Sequence, residues 1–421
     1  MTVLPVPHMG ESPPTPRRRP GVSRPWPWHQ LPVHSPLGFD TAWRGVQAGF
    51  RAGHDSRPRV RSLVRVLYQG DEALLVGSGT QALTLAMSAA ARVRGEADGS
   101  SVVALPAYGC YDIATAAVAA NAKILLYDLN PATLAPDLES VTATLAEGAG
   151  VIVIAPLYGI PVDWAAIEQC VKAFGALAIE DAAQGHGAAW RDRPLGSLGR
   201  LSVLSFGRGK GWTAGEGGAL LARDDAHVPE RLPRQPGSVG ELRVAVRALA
   251  QSLLGRPEMY GLPTALPWLH LGETRYHDPE EPREMSRTAA ALLERTLPLA
   301  TREAELRRAN ALALLECVEA CARVRPIAPP PGATPGYLRL PLRVAQGING
   351  FADPGAARRA GAAPGYPTTL AELPAVQRRL VRARRWRGAE ELVRELVTLP
   401  THSLLGDEDQ RTLVRLLEVR E

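Results

Sequence analysis

Apolar and polar positions along residues 39–225 alternate between short Leu- or β-branched-rich runs and longer stretches with helical spacing. RSLVRVLYQG (61–70) predicts a helix, EALLVGSGT (72–80) a strand that enters a glycine turn, and QALTLAMSAAARVRG (81–95) a second helix. SVVALPAY (101–108), KILLYDL, VIVIAPLYG, LAIEDAA and LSVLSFG read as further strands, with DIATAAVAAN and WAAIEQCVKAFG as helices between them. Strands separated by helices imply βαβ units and an α/β fold with a mostly parallel sheet, helices on both faces. Functional loops in such sheets gather at the C-terminal ends of the strands.

Downstream the rhythm changes. Residues 238–300 read as helical with breaks at Pro263 and Pro267, and a helix over 301–324 precedes a strand-like GYLRLPLRV (336–344) and two further helical segments. Upstream, residues 1–36 are crowded with proline and carry no hydrophobic period, so a disordered tail is expected. The expected organisation is a tail over 1–36, a large domain over 37–232, and a helical connector with a small C-terminal α/β domain over 233–421. A chain of 421 residues with a 45% hydrophobic share suits two domains. The net charge of +5 is small and scattered, which argues against nucleic acid as a partner. No apolar run reaches the ~18 residues of a membrane span, and Arg17 to Arg19 have no apolar stretch behind them, so a cytoplasmic protein is expected. Cys110, Cys170, Cys317 and Cys321 form no CxxC pair and no acidic or His set accompanies them, so no metal is expected.

Lysine is scarce. It occurs only as Lys123, Lys172 and Lys210, against 48 basic residues in all. Lys123 opens a strand and Lys172 lies on an amphipathic helix, both ordinary solvated positions. Lys210 lies in LSVLSFGRGKGWTAGEGGALL, after an apolar strand and among glycines that permit close ligand approach. IEDAAQGHG (179–187) ends another strand with Asp181, at a strand end where ligands bind or helices are capped. VGSGTQAL (76–83) turns from strand to helix through Ser78, Gly79 and Thr80, where N–H and hydroxyl groups suit a phosphate. A phosphate-type turn, a strand-terminal Asp and a strand-terminal Lys, in that order, match fold type I pyridoxal 5′-phosphate (PLP) enzymes. Such enzymes need a Schiff-base lysine, a carboxylate that keeps the pyridine nitrogen protonated, and neutral donors for the phosphate.

From about 60 to 220 the sequence resembles the DegT/StrS family of sugar aminotransferases. GSGTQALTLAM, LPAYGCYDIATAAVAANAKILLYDLNPATLAPD, APLYGIPVDWAAI, IEDAAQGHGAAWRDRPLGSLG and SFGRGKGWTAGEGGAL are similar to the family's successive segments, and LVTLPTHSLLGDEDQ resembles its closing stretch. The resemblance implies PLP carried by Lys210, its ring nitrogen paired with Asp181 and its ring oxygen met by Gln184. It further implies a phosphate held near Gly79 by Thr80, Gln81 and Ser205. Cys110 stands where members carry a stacking aromatic, so Tyr111 or Tyr108 is expected to stack instead. PREMS (282–286) lacks the family's Asn that reaches a neighbouring subunit, leaving Arg283 as a substitute.

By the same resemblance, the protein is expected to be a homodimer. It would move an amino group from an amino acid such as glutamate to a keto-sugar, nucleotide-linked, in polysaccharide or secondary-metabolite sugar biosynthesis. Tyr366 and His402 fall in segments that would close over the sugar. A sister branch that dehydrates sugars has His in place of the lysine, and Lys210 argues against it. The altered stacking position motivates one alternative, a regulatory or scaffold protein of this fold without turnover.

Overall fold

The computed structural model describes residues 28–96, 101–224, 226–228, 232, 234–264, 274–319 and 321–418. Two helices, α1 (Phe39–Phe50) and α2 (Arg57–Leu67), lead into strand β1 (Glu72–Val76). The next units are α3 (Gly79–Val93), β2 (Val102–Pro106), α4 (Tyr111–Ala119), β3 (Lys123–Tyr127), α5 (Leu138–Ala146), β4 (Val151–Ile154), α6 (Trp164–Ala173) and β5 (Leu177–Asp181). A short hairpin, β6 (Ala189–Trp190) and β7 (Arg193–Pro194), precedes β8 (Leu201–Ser205) and β9 (Gly218–Ala222).

Seven of these strands form one sheet in the order β1-β9-β8-β5-β4-β2-β3. Neighbours pair in parallel except along β9, which runs antiparallel to both β1 and β8. Strand β4 is buried at every position and β2 and β3 at all but their first residues, as strands covered by helices on both faces must be. The helices start where the sequence supplies caps. Ser78, Asp137 and Asp163 each accept a backbone N–H in the first turn of α3, α5 and α6.

The connector holds α7 (Ser238–Leu254) and α8 (Pro257–Thr264), so the expected break at Pro263 falls inside a short helix, and Pro267 lies outside the described residues. Helix α9 runs unbroken over Arg287–Val318 through Pro298, so it starts earlier and ends sooner than the sequence pattern implied. Ser286 caps it through Ala289 N, and its buried Ala289, Leu292, Leu293 and Ala300 outweigh the hydrogen bond that Pro298 removes. Beyond it come β10 (Val324–Pro326), β11 (Ala333–Thr334), β12 (Leu340–Val344), α10 (Pro354–Arg359), β13 (Ala363–Pro364), α11 (Pro374–Gln377), α12 (Arg387–Glu395), β14 (Leu396–Leu399) and α13 (Asp407–Leu417). Strands β10, β12, β14 and β13 form a four-stranded antiparallel sheet, the smaller C-terminal unit.

The expected disorder of residues 1–36 is corrected for its last part, and residues 1–27 lie outside the described residues. Residues 28–37 form an extended strap on the protein surface. Gln30 and Leu31 are buried, with Gln30 Nε2 donating to Leu404 O and to Asp409. Proline-rich chain lacks internal hydrogen bonds; here its carbonyls accept from side chains of the body instead, namely Arg339, Arg307 and His402.

Candidate active site

Loops from the C-terminal ends of β2, β4, β5 and β8 and the turn after β1 close around one cavity. The strand order brings Thr80, Asp181, Ser205 and Lys210 to its wall although 130 positions separate the first from the last.

At one end lies the first turn of α3. Ser78 is in extended conformation and its Oγ accepts from Gln81 N at 3.2 Å, so the helix begins cleanly at Gly79. The first N–H groups of a helix have no partner within it, and the helix dipole favours an anion there. A Cβ built on Gly79 would lie 2.7 Å from Ser205 Cβ and 2.8 Å from its Oγ. Glycine is therefore what lets the helix start touch Ser205, and together they form a cradle of phosphate size.

Asp181 and Lys210 line the same cavity. Burial raises the Asp181 carboxyl to about 6, with the Lys210 charge and the Ala183 N–H, which donates at 3.1 Å, pulling it back. A desolvated carboxylate of this kind gains from any cationic N–H placed against it. Cys110 lines the wall between them, and burial pushes its thiol up to about 12, so it is inert as a nucleophile at neutral pH. This donor set fits PLP: a phosphate cradle, an ionisable carboxylate and a lysine line one cavity.

A sequence model of the DegT/DnrJ/EryC1/StrS aminotransferase family matches residues 62–244. An L-glutamine:2-deoxy-scyllo-inosose aminotransferase of Streptomyces paromomycinus is 30% identical over 413 residues, 92% of each chain. A 3-amino-5-hydroxybenzoate synthase of Amycolatopsis mediterranei is 34% identical over 152 residues, 36% of this chain and 38% of its own. The chain belongs to the DegT/DnrJ/EryC1/StrS family. The fold agrees with that of DesV from S. venezuelae, solved with a ketimine intermediate, at a TM-score of 0.70 and 20% identity over 91% of this chain and 95% of that one. The crystal structure of 3-amino-5-hydroxybenzoic acid synthase gives 0.70 at 21% identity, covering 93% and 98%. The chain is a PLP-dependent aminotransferase of this family.

In this aminotransferase the residues expected from sequence are not all in one place. Gly79, Thr80, Asp181, Gln184, Ser205 and Lys210 line the cavity. Lys123 is exposed at the start of β3, and Lys172 pairs with Glu168 at 3.6 Å on α6. Gln81 is buried one step behind the cradle, its Oε1 accepting from Arg283 N at 3.1 Å. Arg283 also reaches Glu216 at 3.6 Å within the same chain.

Tyr111 is corrected as the stacking residue. It is the first residue of α4, and its hydroxyl is 2.6 Å from Thr368 Oγ1 while Cys110, the cap, takes the wall. Consecutive residues at a helix start point about 100° apart, so the two cannot share one direction. Tyr108 is buried, its hydroxyl accepting from Tyr366 N at 2.8 Å, so it too is held away from the wall.

His402 is corrected as a substrate residue. It is buried, its Nε2 bonds Leu31 O at 2.8 Å and its ring meets His34 edge-on, so it fastens the strap rather than facing the cavity. Burial lowers its imidazole to about 3, which keeps it neutral. Tyr366 stands beside the cavity, bound to Gln184 Nε2 at 3.0 Å.

Three features escaped the sequence reading. Asp112 shares the wall with Cys110. Tyr158 takes the left-handed conformation (φ 56°), pinned by Gln184 Oε1 accepting its N–H at 2.8 Å and Leu338 N donating to its carbonyl at 2.9 Å. Arg339, in GYLRLPL, lies next to Tyr158 and Tyr366; a lone Arg entering an apolar strand was the available signal. The strap also belongs here. Ser35 Oγ donates to Lys210 O at 3.0 Å, and Val33 packs where Gly209 (φ 78°) has no side chain.

Proposed function

We propose that this aminotransferase moves the amino group of a glutamine- or glutamate-type donor onto a polyhydroxylated cyclic ketone in secondary metabolism, with Lys210, Asp181 and the Gly79–Ser205 cradle as its working parts. The single observation that carries the reading is the convergence of Lys210, Asp181, Thr80 and Ser205 on one cavity. PLP, when bound, supplies a ring that accepts negative charge from the carbon bearing the amino group.

The chain's own residues do the rest. Thr80, Ser205 and the α3 N-terminus would hold the phosphate as neutral donors. Asp181 would keep a proton on the ring nitrogen, because a desolvated carboxylate gains from a cationic N–H placed against it. Gln184 already spends Oε1 on Tyr158 N and one N–H on Tyr366, and its second N–H is left for the ring oxygen. Lys210 would hold PLP through Nζ, and its amine is the group that would move a proton at the donor's α-carbon. Tyr366, which stacks on Tyr158 with centroids 6.3 Å apart and accepts from the cavity residue Gln184, would offer its phenol to an acceptor's hydroxyl.

The names of several relatives carry L-glutamine and an inosose, which favours glutamine over glutamate as donor and an unlinked cyclitol ketone over a nucleotide-linked keto-sugar. A scaffold role has no need of a desolvated carboxylate beside the lysine. The loaded protein is expected to be yellow, to bleach with L-glutamine, and to regain colour with an inosose. Recovery only with a nucleotide-linked keto-sugar would return the sequence-based expectation, and recovery only with small 2-oxo acids would make it a plain amino-acid aminotransferase.

A homodimer completes the reading. Val239, Leu242, Val246 and Leu253 form an exposed apolar stripe on α7 at helical spacing, beside the exposed Trp43 and Phe50 of α1. A surface of this kind supports assembly with a second chain. No helix among the described residues is long and apolar enough to cross a membrane.

A further inference from the structure

Asp181 and Ser205 are the last residues of β5 and β8, so the sheet itself fixes both. Lys210 has no such support. It stands beyond the end of β8 in a loop, between Gly209 (φ 78°) and Gly211. Glycine on both sides gives the backbone its widest freedom, and any movement there displaces the amine at the end of the long side chain. The loop closes its own neck. Ala214 N donates to Phe206 O and the Thr213 hydroxyl to Gly207 O, both at 3.0 Å. The tip over 208–211 lies outside that neck, where Lys210 N reaches Gly207 O only at 3.3 Å, longer than the usual N–H···O range.

The tip is held from outside. Gly211 rests against His186, where an added Cβ would stand 2.8 Å from the His186 Cβ. The strap holds it as well. Val33 Cγ1 lies 3.3 Å from where a Cβ on Gly209 would stand, and the buried Ser35 donates its hydroxyl to Lys210 O at 3.0 Å. The strap is itself gripped by its main chain. Leu31 O bonds His402 at 2.8 Å, Pro32 O accepts from Arg339 at 3.2 Å, and His34 O accepts from Arg307. Pro32 and Pro36 fix φ within this segment, so it loses little freedom on docking. The body thus holds the backbone and leaves the Val33 and Ser35 side chains for the lysine loop.

We propose that Ser35, aided by Val33, is a positioning residue for Lys210, holding the glycine-flanked tip so that the lysine stays in the cavity with Asp181 and the cradle. This rests on the reading of Lys210 as the working lysine. Ser35 acts through the Lys210 backbone and not on a substrate. Productive geometry is narrow, and a misplacement of about 1 Å can cost about a hundredfold in rate. A strap that only stapled the C-terminal unit to the body would leave no effect confined to this tip.

The scarcity of lysine makes the test direct. In cofactor-free protein, trace acetylation and peptide mapping give the rate at half-buried Lys210 relative to exposed Lys123, an internal standard. One hydrogen bond of ordinary net strength is worth about two- to tenfold in a local equilibrium. Ser35→Ala is therefore expected to raise the Lys210-to-Lys123 ratio, and amide exchange over 206–213, by about two- to tenfold. Ser35→Thr keeps the hydroxyl and should return both toward wild type, and Val33→Ala should move both the same way by less. In PLP-loaded protein, Ser35→Ala should lower the single-turnover rate constant with L-glutamine while half-saturation stays within about twofold of wild type.

Unchanged labelling and exchange in folded Ser35→Ala, with borohydride still fixing the cofactor on Lys210, overturns the proposal and leaves the amino-transfer reading intact. Exchange that rises across the C-terminal unit as much as in the loop overturns it in favour of a staple. If Ser35→Ala fails to fold, unchanged labelling and exchange in Val33→Ala overturn it. A borohydride label on Lys123 or Lys172 overturns the Lys210 reading, and this proposal with it.

Discussion

Asp181→Asn separates what this carboxylate does to the fold from what it does for the chemistry. Burial raises its carboxyl from the ordinary 3.8 to about 6, against the pull of the Lys210 charge. A raised carboxyl means that the folded state binds the proton more tightly than the unfolded chain between those values. The cofactor-free protein therefore gains stability as pH falls from about 6 toward 3.8 and carries the full penalty above 6. At 1.36 kcal/mol per pH unit the penalty is roughly 3 kcal/mol, reduced to about 1–3 because the side chain edges an open cavity.

Asparagine keeps an oxygen for the Ala183 N–H and carries no charge. Cofactor-free Asp181→Asn is thus expected to be more stable than wild type by about 1–3 kcal/mol at pH 8, an advantage that falls by roughly half at pH 5. Denaturant unfolding of the stripped proteins at the two pH values, followed by circular dichroism, measures it. Turnover is expected to move the other way by several orders of magnitude, each tenfold being about 1.4 kcal/mol of barrier. A variant less stable than wild type at pH 8, or with the same advantage at both pH values, refutes the desolvation argument. Near-normal turnover removes Asp181 from the mechanism.

Borohydride reduction of the loaded protein and peptide mapping are expected to put the pyridoxyl label on Lys210; a label on Lys123 or Lys172 would contradict this. Gly79→Ala forces a methyl to 2.7 Å from Ser205 Cβ, an overpacking of about 1–3 kcal/mol. It should appear as cofactor retention weakened about tenfold or more in absorbance titration, and unchanged retention would refute the cradle. His402, lowered to about 3 from 6.5, contributes stability that is complete above 6.5 and is lost as pH falls toward 3. Wild type should therefore lose more Tm between pH 7 and 5 than His402→Leu does, and parallel losses would sink the assignment. Mixed dimers of Lys210→Ala and Arg283→Ala chains should regain activity if each site draws on both subunits, and verified mixed dimers that stay inactive would argue that it does not.

The parts of the fold that follow local rules were readable from the chain. LSVLS, VIVI and LAIED are short apolar runs closed by turns and became central strands, and the polar residues that end LSVLS and LAIED mark the cavity. What escaped depends on contacts between distant segments. Nothing near residues 28–37 announces that Lys210, Arg339 and His402 will fasten them, because a proline-rich run carries no period of its own. Tyr111 was a reasonable stacking candidate by type, but the helix start at Cys110 turns it toward Thr368. His402 has the residue type of a sugar-binding group and the burial of a core one, and only the fold distinguishes the two.

Glu180 and Asp181 show how that distinction works between adjacent residues. Both are acids at the end of β5, and alternation along the strand sends their side chains to opposite faces. Glu180 is fully buried, yet Gly196 N, Leu198 N, Gly199 N and the Ser202 hydroxyl all donate to it, and Arg223 closes the network through Ser202. Its carboxylate is satisfied from within, and it serves to fix the turn over residues 196–199 against the sheet. Asp181 receives one N–H and shares the cavity wall with Lys210. Tyr158, whose N–H donates to the cavity residue Gln184, holds left-handed backbone. Each departs from what a stable interior prefers, for a different physical reason, and both belong to the cavity or to a residue bonded to its wall. Independent departures of this kind collect where a protein is arranged for a ligand, because a ligand can satisfy several of them at once.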